Sequence, residues 1–162
     1  MNESTSFQVF YEAFFNKMEQ NRKFFKYYNV SDKEAMEIAQ SRAKTYLFES
    51  IGRLLLSCSP DVDWNSVDTE NECFNFTATN TEIEMIANLM FEQYYEKGLG
   101  KLDAVLNTLT ASDMKLLANP SQERNSFNNM LTKIKSDNDI AITKYSARDR
   151  ITNKRKVIDY SE

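Results

Sequence analysis

Between residues 6 and 19, apolar side chains recur at three- and four-residue steps: Phe7, Phe10, Tyr11, Phe14, Phe15 and Met18, with Glu12, Lys17 and Glu19 between them. That spacing predicts an amphipathic helix with an aromatic face. The face belongs in a core or, in part, against a partner. Ser31 and Glu34 then form a capping-box pair, in which the Ser oxygen accepts from a free backbone N–H and the glutamate accepts from the cap's own N–H. A second helix should start there and run to about Ser57, burying Ala35, Ala39, Ala43, Tyr46, Leu47, Ile51, Leu54 and Leu55. Pro60 prevents it from going much further.

Thr81 and Glu84 repeat the capping box, followed by Ile83, Ile86, Ala87, Met90 and Tyr94, with Gly98 placed as a C-terminal cap. Thr110 with Asp113 suggests a shorter helical piece over Ala111 to Ala118, halted by Asn119-Pro120. Ser121 can cap a last helix whose apolar side is Phe127, Met130, Leu131, Ile134, Ile140 and Ala141. Cys58 to Asn80 reads as irregular chain, pinned onto the helices by Trp64, Phe74 and Phe76. The expected fold is mainly α: a small helical bundle over residues 1–143 with an extended C-terminal tail over 144–162.

The tail changes the picture. From Ser146 onward it has no amphipathic helical face, so it is expected to take its shape against another polypeptide rather than on its own body. From Lys144 to the end, six basic residues stand against three acidic ones, so the tail is +3 and, with the chain at −4, the remaining body is −7. Opposite charge on body and tail suits identical subunits that reach across to each other, and a solvated tail would look the same. The candidate partner contacts are Arg148, Arg150, Lys154, Arg155 and Lys156 for ion pairs, with Val157, Ile158 and Tyr160 as apolar anchors. Lys156 to Tyr160 could add a short strand to an edge supplied by another chain, because the body offers no obvious sheet.

A length of 162 residues suffices for one domain with a real core, and only 3 glycines and 2 prolines argue against a turn-rich sandwich. There is no long apolar run and no signal-peptide pattern in MNESTSFQVF, so an intracellular setting is expected. Cys58 and Cys73 fit neither a CxxC pair nor a four-ligand zinc site, and are expected as reduced thiols. The chain has no histidine, which removes the usual general base and the usual partner of a Ser or Cys nucleophile. No catalytic residue, metal ligand or cofactor is assigned, and the chain is not expected to be an enzyme. Asp61, Asp63, Asn65, Ser66 and Glu72 approach the calcium-loop pattern. Ser66 stands where glycine makes the turn, however, and Asp68 stands where an apolar residue packs, so a solvated acidic loop is the stronger reading. Direct nucleic-acid binding is weakly signalled: the tail is basic, but the overall pI is near 5.1 and few aromatic residues interleave with the cations.

Several strings carry a family likeness: LLLSCSPDVDW after the long second helix, FNFTATNTEIEMIANLMFEQYYEKGL, TASDMK, NPSQERNSFNNML and the charged tail. Together the order of features resembles the small helical head-to-tail connector proteins of tailed bacteriophages, the adaptor or neck subunits. The likeness is nearest over Thr77 to Leu99 and looser over residues 24–150.

The resemblance implies a virion structural protein, assembled in the host cytoplasm, that forms a homo-oligomeric ring, commonly twelvefold. Such a ring docks on the portal protein and continues the DNA channel towards the next neck or tail component. DNA would pass through the channel without specific binding, and no membrane is involved. On that reading Glu82, Glu84, Glu92 and Glu96 either line the channel or form a plain solvated face. The alternative function is a small helical regulator that binds a host or phage protein, with nucleic-acid contact through its basic tail.

Overall fold

A computed structural model describes residues 4–19, 22–25, 27–108 and 120–157, the side chains of 22, 23, 99–121 and 123 excepted. The elements in chain order are β1 (Thr5–Ser6), α1 (Phe7–Met18), a 3-10 turn (Arg22–Phe25), α2 (Asp32–Ser57), β2 (Val67–Asp68), β3 (Cys73–Phe74), α3 (Asn80–Thr108) and α4 (Pro120–Ser146). The chain is mainly helical, as the periodicity predicts.

Each helix start has a local cause. Ser6 caps α1, its Oγ accepting from Gln8 N at 3.2 Å. Ser31 caps α2 through the expected reciprocal box with Glu34. The α3 box is shifted two residues from the expected Thr81–Glu84 pair: Thr79 Oγ1 accepts from Glu82 N, and Glu82 Oε2 accepts from Thr79 N at 2.8 Å. Threonine stands three residues before glutamate at both positions. The earlier pair is used because Glu82 is also wanted inside, where an arginine meets it. Pro120 opens α4, a position at which its missing N–H costs nothing.

Gly98 does not end α3, which continues to Thr108. Gly98 keeps a negative φ inside the helix, so it makes no left-handed cap, and a Cβ there would meet the Phe127 ring of α4 at 3.4 Å, an ordinary contact. The expected piece over 111–118 lies outside the described residues.

Helix α3 is the hub, since α1, α2 and α4 all pack against it. The aromatic face of α1 is core: Phe7, Phe10, Phe14 and Met18 are fully buried and Tyr11 nearly so. Burial, together with Glu72 nearby, pushes the Tyr11 hydroxyl up to about 12. Tertiary polar contacts also tie the helices. Glu92, 1 % exposed, faces Arg53 of α2 at 2.8 Å as a charge contact without hydrogen-bond alignment. Asn138 of α4 donates to the same carboxylate at 2.7 Å.

Two strands of the Cys58–Asn80 stretch join β1 from before α1 in a small antiparallel sheet of order β1-β3-β2, so the body does have one. Thr5 pairs with Phe74 and Ser6 with Cys73, while Val67 and Asp68 take the other side of β3. Strands of two residues are too short to show an alternating pattern, which is why the sequence conceals them. Trp64 and Phe74 are buried as expected, and the Trp64, Phe74 and Phe76 rings meet at 5.1–5.4 Å.

The C-terminal hairpin and the Glu82 socket

The C-terminal tail is corrected by the structure as far as it is described. Lys144 to Ser146 finish α4. Beyond them the chain turns back on itself: Asp149 N donates to Lys154 O, Lys156 N donates to Ala147 O, and Arg148 bridges Arg155 in antiparallel fashion. Asn153 sits at the tip with φ 55°, a left-handed conformation that asparagine tolerates better than most residues. The Asp149 carboxylate accepts from Thr152 N, Thr152 Oγ1 and Ile151 N, bonds that hold it below the usual carboxylate range. Short-range polar bonds of this kind need no amphipathic face, so periodicity does not reveal them.

The hairpin is fastened to its own body through Arg150. Its Nε lies 2.9 Å from Glu82 Oε1 and its Nη2 lies 2.8 Å from Glu82 Oε2, the two-pronged geometry that guanidinium and carboxylate share. Nη2 also donates to Thr77 O at 2.6 Å. The Glu82 side chain is 0 % exposed and that of Arg150 is 14 % exposed. The Tyr145 hydroxyl donates to Glu82 Oε1 at 2.8 Å. Burial alone would raise the Glu82 carboxyl, but Arg150, the Thr79 N–H and Tyr145 outweigh it and hold the group below its ordinary range. Burial and the neighbouring carboxylate push the Tyr145 hydroxyl up. A second fastening joins Lys156 Nζ to Asp61 Oδ1 at 2.5 Å. A groove of about 800 Å³ runs beside the socket, walled by Thr81 and Met85 of α3, Ala141 and Tyr145 of α4, and Arg150 and Ile151 of the hairpin.

The expected contact residues therefore divide. Arg150 and Lys156 are engaged within the chain. Arg148 is half-buried and bonds Asn153 Oδ1. Lys154, Arg155 and Val157 are exposed. Ile158 and Tyr160 lie outside the described residues. The acidic face of Glu82, Glu84, Glu92 and Glu96 does not exist as such: Glu82 and Glu92 are buried and paired, while Glu84 meets Lys17 and Glu96 meets Lys135.

Other candidate chemistry is not gathered. Asp61 faces Lys156, Glu72 faces Lys44, and Asp63 accepts from Asn65 N. Among the described residues no three His, Cys, Asp or Glu side chains cluster as metal ligands, and no helix is long and apolar enough to cross a membrane. Cys58 and Cys73 are free and half-buried, and burial raises the Cys58 thiol.

Sequence reasoning missed Glu82 as a receiver. A signal was there: Glu82 and Glu92 share one helical face with Ile86 and Leu89, so a buried α3 face would carry two carboxylates with it. In comparisons with known proteins, the chain matches no family model, no curated relative and no solved structure.

Proposed function

We propose that this chain is a non-catalytic assembly subunit, in its most concrete form a member of a head-to-tail connector ring of a tailed bacteriophage. The observation that carries the assembly reading is the outward side of the hairpin. Lys154 and Arg155 are exposed without an ion pair among the described residues, and Val157 is 88 % exposed beside them. Cations next to an exposed apolar side chain, on a body of opposite net charge, suit a protein partner. The phage identity rests on the resemblance of Thr77 to Leu99 and its neighbouring strings. On that identity the ring docks on the portal and hands the DNA channel on to the next neck or tail component.

The hairpin changes how the tail serves such a role. Arg150 and Lys156 position it on its own subunit, which leaves Lys154, Arg155 and Val157 to face outward. Deleting residues 146–162 would strip the partner from buried Glu82 and so confuse folding with assembly. A cleaner test is Lys154→Glu with Arg155→Glu, which leaves Arg150 in place. Particles carrying this variant should lack a ring beneath the portal where wild-type particles show one. Wild-type particles without this protein beneath the portal would defeat the connector reading and favour the small regulator that binds a host or phage protein.

A further inference from the structure

Most of the exposed large apolar side chains gather at the two ends of α2 and on the hairpin. At the start of α2, Tyr28, Val30, Met36 and Ile38 are 94, 36, 47 and 36 % exposed. From Tyr28 to Ile38 every residue is exposed except half-buried Ala35, so the first turns of this helix stand clear of the bundle. A projecting helix end normally shows polar side chains to water, and apolar ones there mark a contact surface. Asp32, Glu34 and Glu37 outnumber Lys33, the only cation between Tyr28 and Ile38.

The far end of α2 has the opposite character. Leu56 is 92 % exposed there, two residues before the C-cap Cys58. The hairpin sits against this end, because Lys156 bonds Asp61 and its charge is felt by the Cys58 thiol. Val157 follows at 88 % exposure, with Lys154 and Arg155 alongside and unpaired among the described residues. One end is thus apolar and acidic, and the other apolar and basic.

Distance decides who can meet whom. With 26 residues at 1.5 Å each, α2 is about 39 Å long. A hairpin fastened near Cys58 does not reach Met36 and Ile38 of its own chain. We infer that the acidic, apolar start of α2 in one copy docks on the Leu56–Val157 end of the next copy, beside Lys154 and Arg155. This deepens the assembly reading and rests on it, by naming the two patches that meet. Because the patches differ and lie at opposite ends, the contact is heterologous: it repeats head to tail, and closes into a ring where the rotation allows. Complementary charge sets the direction of docking, and the apolar side chains exclude water at its centre.

The test uses two full-length variants altered only at exposed positions, with helicity checked by circular dichroism. One carries Met36→Asn and Ile38→Asn, the other Lys154→Glu and Arg155→Glu. A milder Glu37→Lys variant repeats the first arm without touching an apolar side chain. In sedimentation across a concentration series, the wild type should associate and each variant alone should remain a single copy. Mixing the two double variants should restore one contact and give one-to-one pairs that grow no further. Association of either double variant as strong as wild type, or a mixture that stays single, overturns the inference while leaving the assembly reading intact. A wild type that never associates overturns the inference too, whereas particle imaging decides the connector reading on its own.

Discussion

Arg150 and Glu82, 68 residues apart in the chain, form a two-pronged ion pair whose carboxylate is wholly buried. The same carboxylate closes the N-terminal box of α3 and accepts from Tyr145 of α4. One side chain therefore joins the start of one helix, the end of another and the hairpin. Removing one partner of a buried pair leaves an uncompensated charge, which costs more than the pair itself contributes. Arg150→Ala should destabilise the fold by about 3 kcal/mol, and Glu82→Gln, which keeps an acceptor for the cap, by less. Urea unfolding of both variants and of the double variant measures the coupling. Additive losses would mean that the pair is not made in solution.

Stability should fall on acidification through this group. Glu82 titrates below its ordinary 4.5 in the folded chain, so between the unfolded and folded values the native state binds fewer protons than the unfolded state. The stabilisation is present above the ordinary value and is lost as pH falls through the lowered one. Asp149, Asp68 and Glu34 are shifted the same way, so the informative quantity is the difference between wild type and Glu82→Gln. Unfolding curves at neutral pH and in steps below 4.5 should converge for the two proteins as pH drops. Parallel curves throughout would exclude Glu82 as the source.

Lys156 and Asp61 provide a contrast. Their side chains are 41 and 33 % exposed, so water and salt screen the pair. Lys156→Ala should cost less than about 1 kcal/mol, and the cost should shrink further in high salt. Hydrogen exchange gives the local readout: the Lys156 amide, bonded to Ala147 O, should exchange faster in the variant, while amides in the middle of α3 keep their protection. Loss of protection across α3 would show that this fastening supports the whole bundle.

Much of the fold is legible in the sequence, and the illegible parts have physical reasons. The aromatic face of α1 and the Ser31–Glu34 start of α2 follow from spacing and capping alone. The continuation of α3 past Gly98 does not, because a glycine near a helix end reads as a left-handed cap, whereas here it keeps a negative φ within the helix. The hairpin is hidden for a different reason. What fixes it is a carboxylate 68 positions earlier, together with bonds from Asp149 to residues two and three places on. A charged tail with no amphipathic face looks free until that carboxylate is known to be buried.

Phe74 offers the sharpest test of how the small sheet is held. It lies on β3, the central strand, fully buried, with Phe7, Phe10, Trp64 and Phe76 around it at ring distances of 4.9–5.4 Å. Edge-on and tilted contacts of this kind add to the area that each ring buries. Phe74→Ala should cost about 4 kcal/mol, since four rings cannot all relax into the space left. Trp64, the only tryptophan and 1 % exposed, reports the consequence directly. If the sheet is pinned by this cluster, the variant's tryptophan emission shifts to the red under conditions where helical circular dichroism is unchanged. If emission and helicity are lost together, the cluster is part of the bundle core rather than a local pin.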